Sequence, residues 1–229
     1  MTGMLASVNS VNEALMVLNA QVDIIDLKQP ASGALGALDF ATVNEIVTLI
    51  NGRCPVSATI GDLPMQPELI FNAVTIMAET GVDYIKIGFF PGGDWIRTLD
   101  KLAKLKDKNL KLIAVLFADT QPDFSVLSAL KNAGFTGVML DTMNKAQGSL
   151  TEVMDKEKIE QFVIHAKELQ LLCGLAGSLR IKDINKLMAY QVDYLGFRGA
   201  LCEQHNRVGQ LSNKAIIEVQ QAIHVKHDS

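Results

Sequence analysis

Apolar and polar positions follow two alternating rhythms along the chain. Short runs rich in Val, Ile and Leu predict strands at Leu5–Asn9, Val22–Lys28, Val56–Gly61, Tyr84–Phe89, Leu112–Phe117, Gly137–Asp141, Leu171–Ala176 and Tyr194–Arg198. Between and after them, stretches with helical spacing predict helices at Val11–Asn19, Ala41–Ile50, Pro67–Thr80, Asp94–Lys106, Asp123–Ala133, Lys156–Leu169, Lys182–Tyr190 and Ser212–Val225. Ile159, Phe162, Val163, Ala166 and Leu169 illustrate the spacing. The punctuation agrees. Ser10 and Ser212 are candidate N-caps, Pro67 and Pro122 sit near helix starts, and Gly81 and Gly134 follow helices where a left-handed residue is expected.

Eight βα units predict an α/β fold of the (β/α)8 TIM-barrel type, a single domain over residues 1–229. Nearly continuous apolar strands suit a parallel sheet covered by helices. An open doubly wound sheet is the alternative, but no Gly-x-Gly-x-x-Gly follows the first strand. No linker-like segment or short sequence repeat divides the chain. The barrel carries a specific expectation: functional residues belong at the C-terminal ends of the strands.

Composition narrows the function. The 229 residues are 48% hydrophobic, enough for a full core, and the net charge is −4. An acidic chain has no excess of cations for a phosphate backbone, so nucleic acid is not the expected partner. The longest apolar run, Leu112–Ala118, is far short of the roughly 20 residues that span a bilayer. The first basic residue is Lys28, which does not fit the charged start of a signal peptide. Cys54, Cys173 and Cys202 read as free thiols in a reducing compartment. The expectation is a cytoplasmic protein that does not engage membranes, and the sequence leaves a homo-oligomer open. No metal-ligand spacing occurs.

The charged residues gather at predicted strand ends. In Asp23-Ile-Ile-Asp-Leu-Lys28, alternation places Asp26 and Lys28 on one face and Ile25 and Leu27 on the other. Lys86 lies between Ile85 and Ile87, so it also points inward. The plain alternative is a structural ion pair, but two lysines at neighbouring strand ends are hard to explain as packing. Two such lysines suit amine chemistry. An ammonium of ordinary pKa, about 10.4, is a poor nucleophile, whereas desolvation and a second cation favour the neutral amine. One lysine can then form a Schiff base while the other moves protons. Asp26 opposes the depression, so orientation or proton transfer is its expected work.

Asp141 ends the sixth strand with Lys145 on the following loop, a second carboxylate–ammonium couple. Asp119 is equally well read as a loop ligand. The last two strands run into Gly174-Leu-Ala-Gly-Ser178 and Gly196-Phe-Arg-Gly-Ala200. Gly177, Ser178, Gly199 and Ala200 offer backbone amides to a phosphate where barrels often bind one, and Arg198 adds a charge. His165, His224 and His227 read as surface residues. His205 can reach the mouth but belongs to no base–nucleophile motif. Lys101, Lys104, Lys106, Lys108 and Lys111 read as a solvated face.

Taken together, the segments Asp23–Pro30, Gly33–Ala37, Ser57–Asp62, Tyr84–Gly88, Gly137–Thr142, Gly174–Ser178 and Gly196–Ala200 resemble the (5-formylfuran-3-yl)methyl phosphate synthases of methanofuran biosynthesis. The resemblance runs in order over essentially the whole chain. It implies that two molecules of glyceraldehyde 3-phosphate are joined into a furan aldehyde bearing one phosphate, with loss of phosphate and water. It implies Lys28 as the Schiff-base lysine and Lys86 as the acid/base of an isomerisation step, with Asp26, Asp141 and Lys145 catalytic or supporting. It also implies no metal and no organic cofactor. Two anionic substrates require two anion sites, and Lys145 or Arg198 is a candidate for the second. Rival readings are a decarboxylase barrel, a simpler class I aldolase and a non-catalytic phosphometabolite-binding barrel. The first needs Asp-x-Lys-x-x-Asp, and Ala31 stands where its second aspartate belongs.

Overall fold

Each strand is short because each has only to cross the wall of a barrel. The computed structural model describes residues 2–224. The strands are β1 (Gly3–Val8), β2 (Ile24–Leu27), β3 (Val56–Thr59), β4 (Tyr84–Gly88), β5 (Leu112–Phe117), β6 (Gly137–Asp141), β7 (Leu172–Leu175) and β8 (Tyr194–Phe197). All pair in parallel with their chain neighbours, and β1 pairs with β8, so the sheet closes into the expected barrel. The helices are α1 (Val11–Asn19), α2 (Phe40–Ile50), α3 (Pro67–Ala78), α4 (Trp95–Leu102), α5 (Val126–Asn132), α6 (Leu150–Val153), α7 (Lys156–Glu168), α8 (Ile181–Met188) and α9 (Asn213–His224). Among the described residues no helix is long and apolar enough to cross a membrane.

Strand alternation sorts the apolar residues into two cores. Ile25, Leu27, Ile85, Ile87, Leu140 and Leu195 pack outward with Val17, Ile46, Val74, Phe162, Leu187 and Val219 of the helices. Leu5, Ile24, Val115, Phe117 and Met139 form a smaller core inside the barrel. Ser7, Asp26, Ser57, Lys86 and Asp141 share that inner face and are all buried. The inside therefore changes from apolar near the strand starts to charged near the strand ends.

Helix punctuation follows local chemistry. Ser10 Oγ accepts the Glu13 N–H at the start of α1, Asp39 caps α2, and Pro67 opens α3. Gly81 and Gly134 have the expected positive φ. Three spans differ from expectation. The stretch predicted as one helix from Asp94 to Lys106 is α4 followed by a 3-10 segment, Ala103–Lys108, in which only Leu105 is buried. The helix expected from Asp123 starts at Val126, because the Asp123 carboxylate accepts from the Ser125 N–H and hydroxyl and holds that stretch as a turn. The short α6 has no counterpart among the predicted helices, although Ser149-x-x-Glu152 is a helix-start signature, and Glu152 does accept the Ser149 N–H. Val225, the predicted end of the last helix, and His227 lie outside the described residues.

Cys54, Cys173 and Cys202 are buried free thiols. Lys104, Lys106, Lys108 and Lys111 are exposed, while Lys101 pairs with Glu68. His224 is exposed, and His165 lies half-buried at the surface of α7 beside Ala166.

Candidate active site

The charged inner face begins with register. Ser7 on β1 and Ser57 on β3 stand directly beside Asp26 on β2. Both hydroxyls donate to its carboxylate, at 2.8 and 2.6 Å, and Lys86 Nζ from β4 approaches at 2.9 Å. Asp26 is 0% exposed and Lys86 3%. Burial would raise the Asp26 pKa, but Lys86 and Lys28, together with the Ser57 hydroxyl, hold it below the usual carboxylate value. Asp26 thus lies beneath the floor of the mouth, not on its surface. It fixes Lys86 in place: Asp26 and Lys28 share a face as alternation requires, but only Lys28 of the two reaches the mouth.

Lys28 immediately follows β2 and is 7% exposed. No hydrogen bond or ion pair engages its ammonium among the described residues. Burial pushes its pKa down to about 8; Asp141 opposes that shift, and Lys145 and Lys86 add to it. Both expected causes act, desolvation more strongly than the neighbouring cations. Asp141 ends β6 and accepts from Lys145 Nζ and from the Thr142 N–H. Burial would raise its pKa, yet Lys145 and Lys28 hold it below the ordinary value. Lys145 also donates to the Thr142 carbonyl. Its loop is braced by Asp119, which accepts the Met143 and Asn144 N–H groups at 2.7 Å each. Asp119 is therefore a loop ligand.

Above these groups opens a cavity of about 270 Å³, bordered by Lys28, Lys86, Asp141, Lys145, Gly177, Ser178 and Gly199. Gly177 (φ +109) and Ser178 (φ +48) turn the chain sharply after β7. A Cβ on Gly177 would collide with Thr142, so this close approach of two loops requires glycine. Among the described residues, the amides of Gly177, Ser178, Gly199 and Ala200 donate to no protein acceptor. Ala200 itself lies behind the cavity wall, buried at 3%.

Arg198 departs from expectation. The chain leaves the extended conformation there (φ −133, ψ −67), so strand alternation no longer sets the direction of its side chain. Its Nε donates to the Arg207 carbonyl, Nη1 to Ser7 O and Glu13 Oε2, and Nη2 to Glu13 Oε1 and Gly209 O. All five N–H donors are taken. Arg198 is a buried anchor between β8, β1 and α1, with nothing left to offer a phosphate. His205 is exposed on the cavity rim.

Two other arginines border the cavity without having been singled out in the sequence. Arg207 reaches across the mouth, with Nη1 on the Pro30 carbonyl at 2.7 Å and Nη2 on the Gly33 carbonyl at 2.9 Å. From the other side, Asp62 accepts the Ala34 and Leu35 N–H groups at 2.8 and 2.7 Å. Gly33, at φ +116, leaves room for that carboxylate. The loop carrying Lys28 is thus tied down twice. Arg180 lies two residues beyond Ser178, in a Ser-Leu-Arg run that a search for cations beside the glycine turn finds; Arg207 has no such signal. Among the described residues no group of three His, Cys, Asp or Glu side chains is gathered closely enough to hold a metal ion.

Comparison with known proteins decides the family. The profile of the family described as 4-HFC-P synthase matches residues 4–220. The chain belongs to the 4-HFC-P synthase family. A protein of Methylorubrum extorquens provisionally named (5-formylfuran-3-yl)methyl phosphate synthase is 38% identical over 220 residues, covering 96% of this chain and 91% of the relative. The Methanosarcina acetivorans protein named (5-formylfuran-3-yl)methyl phosphate synthase is 32% identical over 222 residues, 91% of this chain and 95% of the relative. Among solved structures, phosphoribosyl anthranilate isomerase from Thermotoga maritima superposes with a TM-score of 0.69 at 11% identity, covering 97% of this chain and 98% of that one. For 3-keto-L-gulonate-6-phosphate decarboxylase from Vibrio cholerae the TM-score is 0.67 at 12% identity, with 97% of each chain covered. At such identities these two show a shared barrel and nothing more. The 4-HFC-P synthase relatives carry the family; their names indicate an enzyme.

Proposed function

We propose that this 4-HFC-P synthase family member is a (5-formylfuran-3-yl)methyl phosphate synthase. On this reading it joins two molecules of glyceraldehyde 3-phosphate into the phosphorylated furan aldehyde, releasing phosphate and water, as a step toward methanofuran. The observation that carries the chemistry is Lys28: buried, unpaired, open to the cavity and with a pKa lowered to about 8. At neutral pH an appreciable fraction of such an amine is neutral, and it can add to a carbonyl and expel water as an imine. The imine withdraws electrons from the adjacent carbon, whose proton can then leave. Lys86, held by Asp26 and facing the same cavity, is the group to carry that proton. Asp141 and Lys145 keep a second charged couple beside Lys28 and orient the water or hydroxyl that departs. The free amides of Gly177, Ser178 and Gly199 are the proposed phosphate seat.

The test is chemical trapping. The protein is incubated with glyceraldehyde 3-phosphate, reduced with borohydride, and the modified lysine is mapped by mass spectrometry. The expected adduct is on Lys28, and Lys28→Ala abolishes trapping and turnover together. An adduct on Lys86, with Lys28→Ala still trapping, reverses the two roles. Product analysis of the unreduced reaction separates furan synthesis from simple aldol addition. Saturable binding without turnover or a trapped imine overturns the enzymatic reading in favour of a binding protein.

A further inference from the structure

The phosphate seat lacks a counter-charge if Arg198 is its only cation, because every Arg198 donor is taken within the protein. Lys145 is similarly occupied by Asp141 and Thr142. Arg207 spends two donors on the loop after β2. Arg180 is different. Its guanidinium borders the cavity and makes no ion pair or hydrogen bond with any described residue. Its Nη1 lies 3.0 Å from the place where a Gly199 Cβ would stand. The missing side chain of Gly199 thus makes the room in which the guanidinium rests, in the cavity that Ser178 and Gly199 also line.

Positive groups are gathered at this position. Arg180 is the N-cap residue of α8, where the helix presents its own partial positive charge. Asp183 accepts the Arg180 backbone N–H and the Thr151 hydroxyl, and so serves the helix end and not the guanidinium. A guanidinium, a helix start and unpaired amides converge on one corner of the cavity, and a multiply charged oxyanion satisfies all three.

We infer that Arg180 is the charged reader of the substrate phosphate, the residue by which this site distinguishes a phosphorylated carbonyl compound from its unphosphorylated counterpart. The identity of that compound rests on the function proposed above; the anion site itself does not. Inorganic phosphate is therefore the first probe. Calorimetric titration of the full chain is expected to show binding that Arg180→Gln weakens by about tenfold or more and Arg180→Lys weakens less, since a lysine keeps the charge without the fork. Gly199→Ala should weaken it as well, by placing a methyl group against the guanidinium. The second measurement is borohydride trapping with glyceraldehyde 3-phosphate and with glyceraldehyde. Arg180→Gln should lower the ratio of the two trapping rates by about tenfold; a merely structural defect would lower both rates alike. Unchanged phosphate binding in Arg180→Gln overturns the inference, as does an unchanged trapping ratio. Phosphate binding that depends on Arg180, in a protein that neither traps an imine nor turns over, would uphold the inference while removing the proposed function.

Discussion

Lys28 carries the cost of its position in its own protonation. Its pKa falls from 10.5 to about 8 on folding. Between those values the unfolded chain holds a proton that the folded chain has released, so folding stability rises with pH across that window. Below about pH 8 both states are protonated and the folded state bears the full penalty, roughly 3 kcal/mol at 1.36 kcal/mol per unit. Lys28→Met should therefore stabilise the protein at pH 7, by about 1–3 kcal/mol, because Asp26 and Asp141 each lose a nearby cation and offset part of the gain. Urea unfolding at pH 7 and at pH 9.5 checks this: the advantage should shrink at the higher pH, and a destabilised variant at pH 7 would contradict it. On the proposed function the same group sets the rate. Trapping efficiency should climb about tenfold per pH unit up to about pH 8 and then level, since only the neutral amine attacks. Asp26 has the opposite sign. Asp26→Asn leaves the Lys86 ammonium buried without its partner and should cost about 3–5 kcal/mol at pH 7, measured by the same unfolding curves.

At the scale of elements, the loop after β2 and the start of α1 are both held by long-range polar ties. Arg207 fastens the Pro30 and Gly33 carbonyls, and Asp62 fastens the Ala34 and Leu35 amides. Charge-assisted bonds of this kind contribute about 1.5–3 kcal/mol each when sheltered. Arg207→Ala should speed amide hydrogen exchange across residues 29–36 by about ten- to a hundredfold, with the barrel strands unaffected. Exchange accelerated across the whole chain would instead mark Arg207 as a fold determinant. The Arg198–Glu13 pair joins β8 to α1 under the mouth, with side chains 4% and 10% exposed. Arg198→Met should destabilise by about 3–5 kcal/mol by stranding the Glu13 carboxylate, and Glu13→Gln in the same chain should recover much of the loss. Thermal or urea unfolding of the two singles and the double decides it; purely additive losses would deny the coupling.

At the scale of the whole molecule, periodicity carried the barrel. Eight apolar runs, eight amphipathic stretches and their caps define the strand order, because a closed parallel sheet leaves little choice of neighbours. Alternation also placed Lys28, Lys86 and Asp141 on the inner face, since the period of two is obeyed as long as the chain stays extended. Where the chain stops being extended, alternation stops informing. Arg198 stands one residue past β8, and its partner Glu13 is 185 residues away in sequence, so nothing local announces the pairing. The depth of Asp26 below the mouth follows from the stagger of neighbouring strands, which sequence spacing does not encode. Arg180 and Arg207 act from loops whose path is set by tertiary contacts, and α6 was hidden by its brevity.

The two walls of the cavity are built from different material. One is side chain: three lysines and an aspartate on β2, β4 and β6 and the loops that follow. The other, after β7 and β8, presents main chain at Gly177, Ser178 and Gly199 beside the Arg180 side chain. An amide cannot be exchanged by altering one codon, whereas a lysine can. On the proposed function, mutational drift acts unequally across a few ångströms: in the half that seats the phosphate only the Arg180 side chain and the glycines are open to single replacement, whereas every group in the half that performs the reaction is. A barrel partitioned in this way can change its chemistry in small inherited steps while still holding the same kind of molecule.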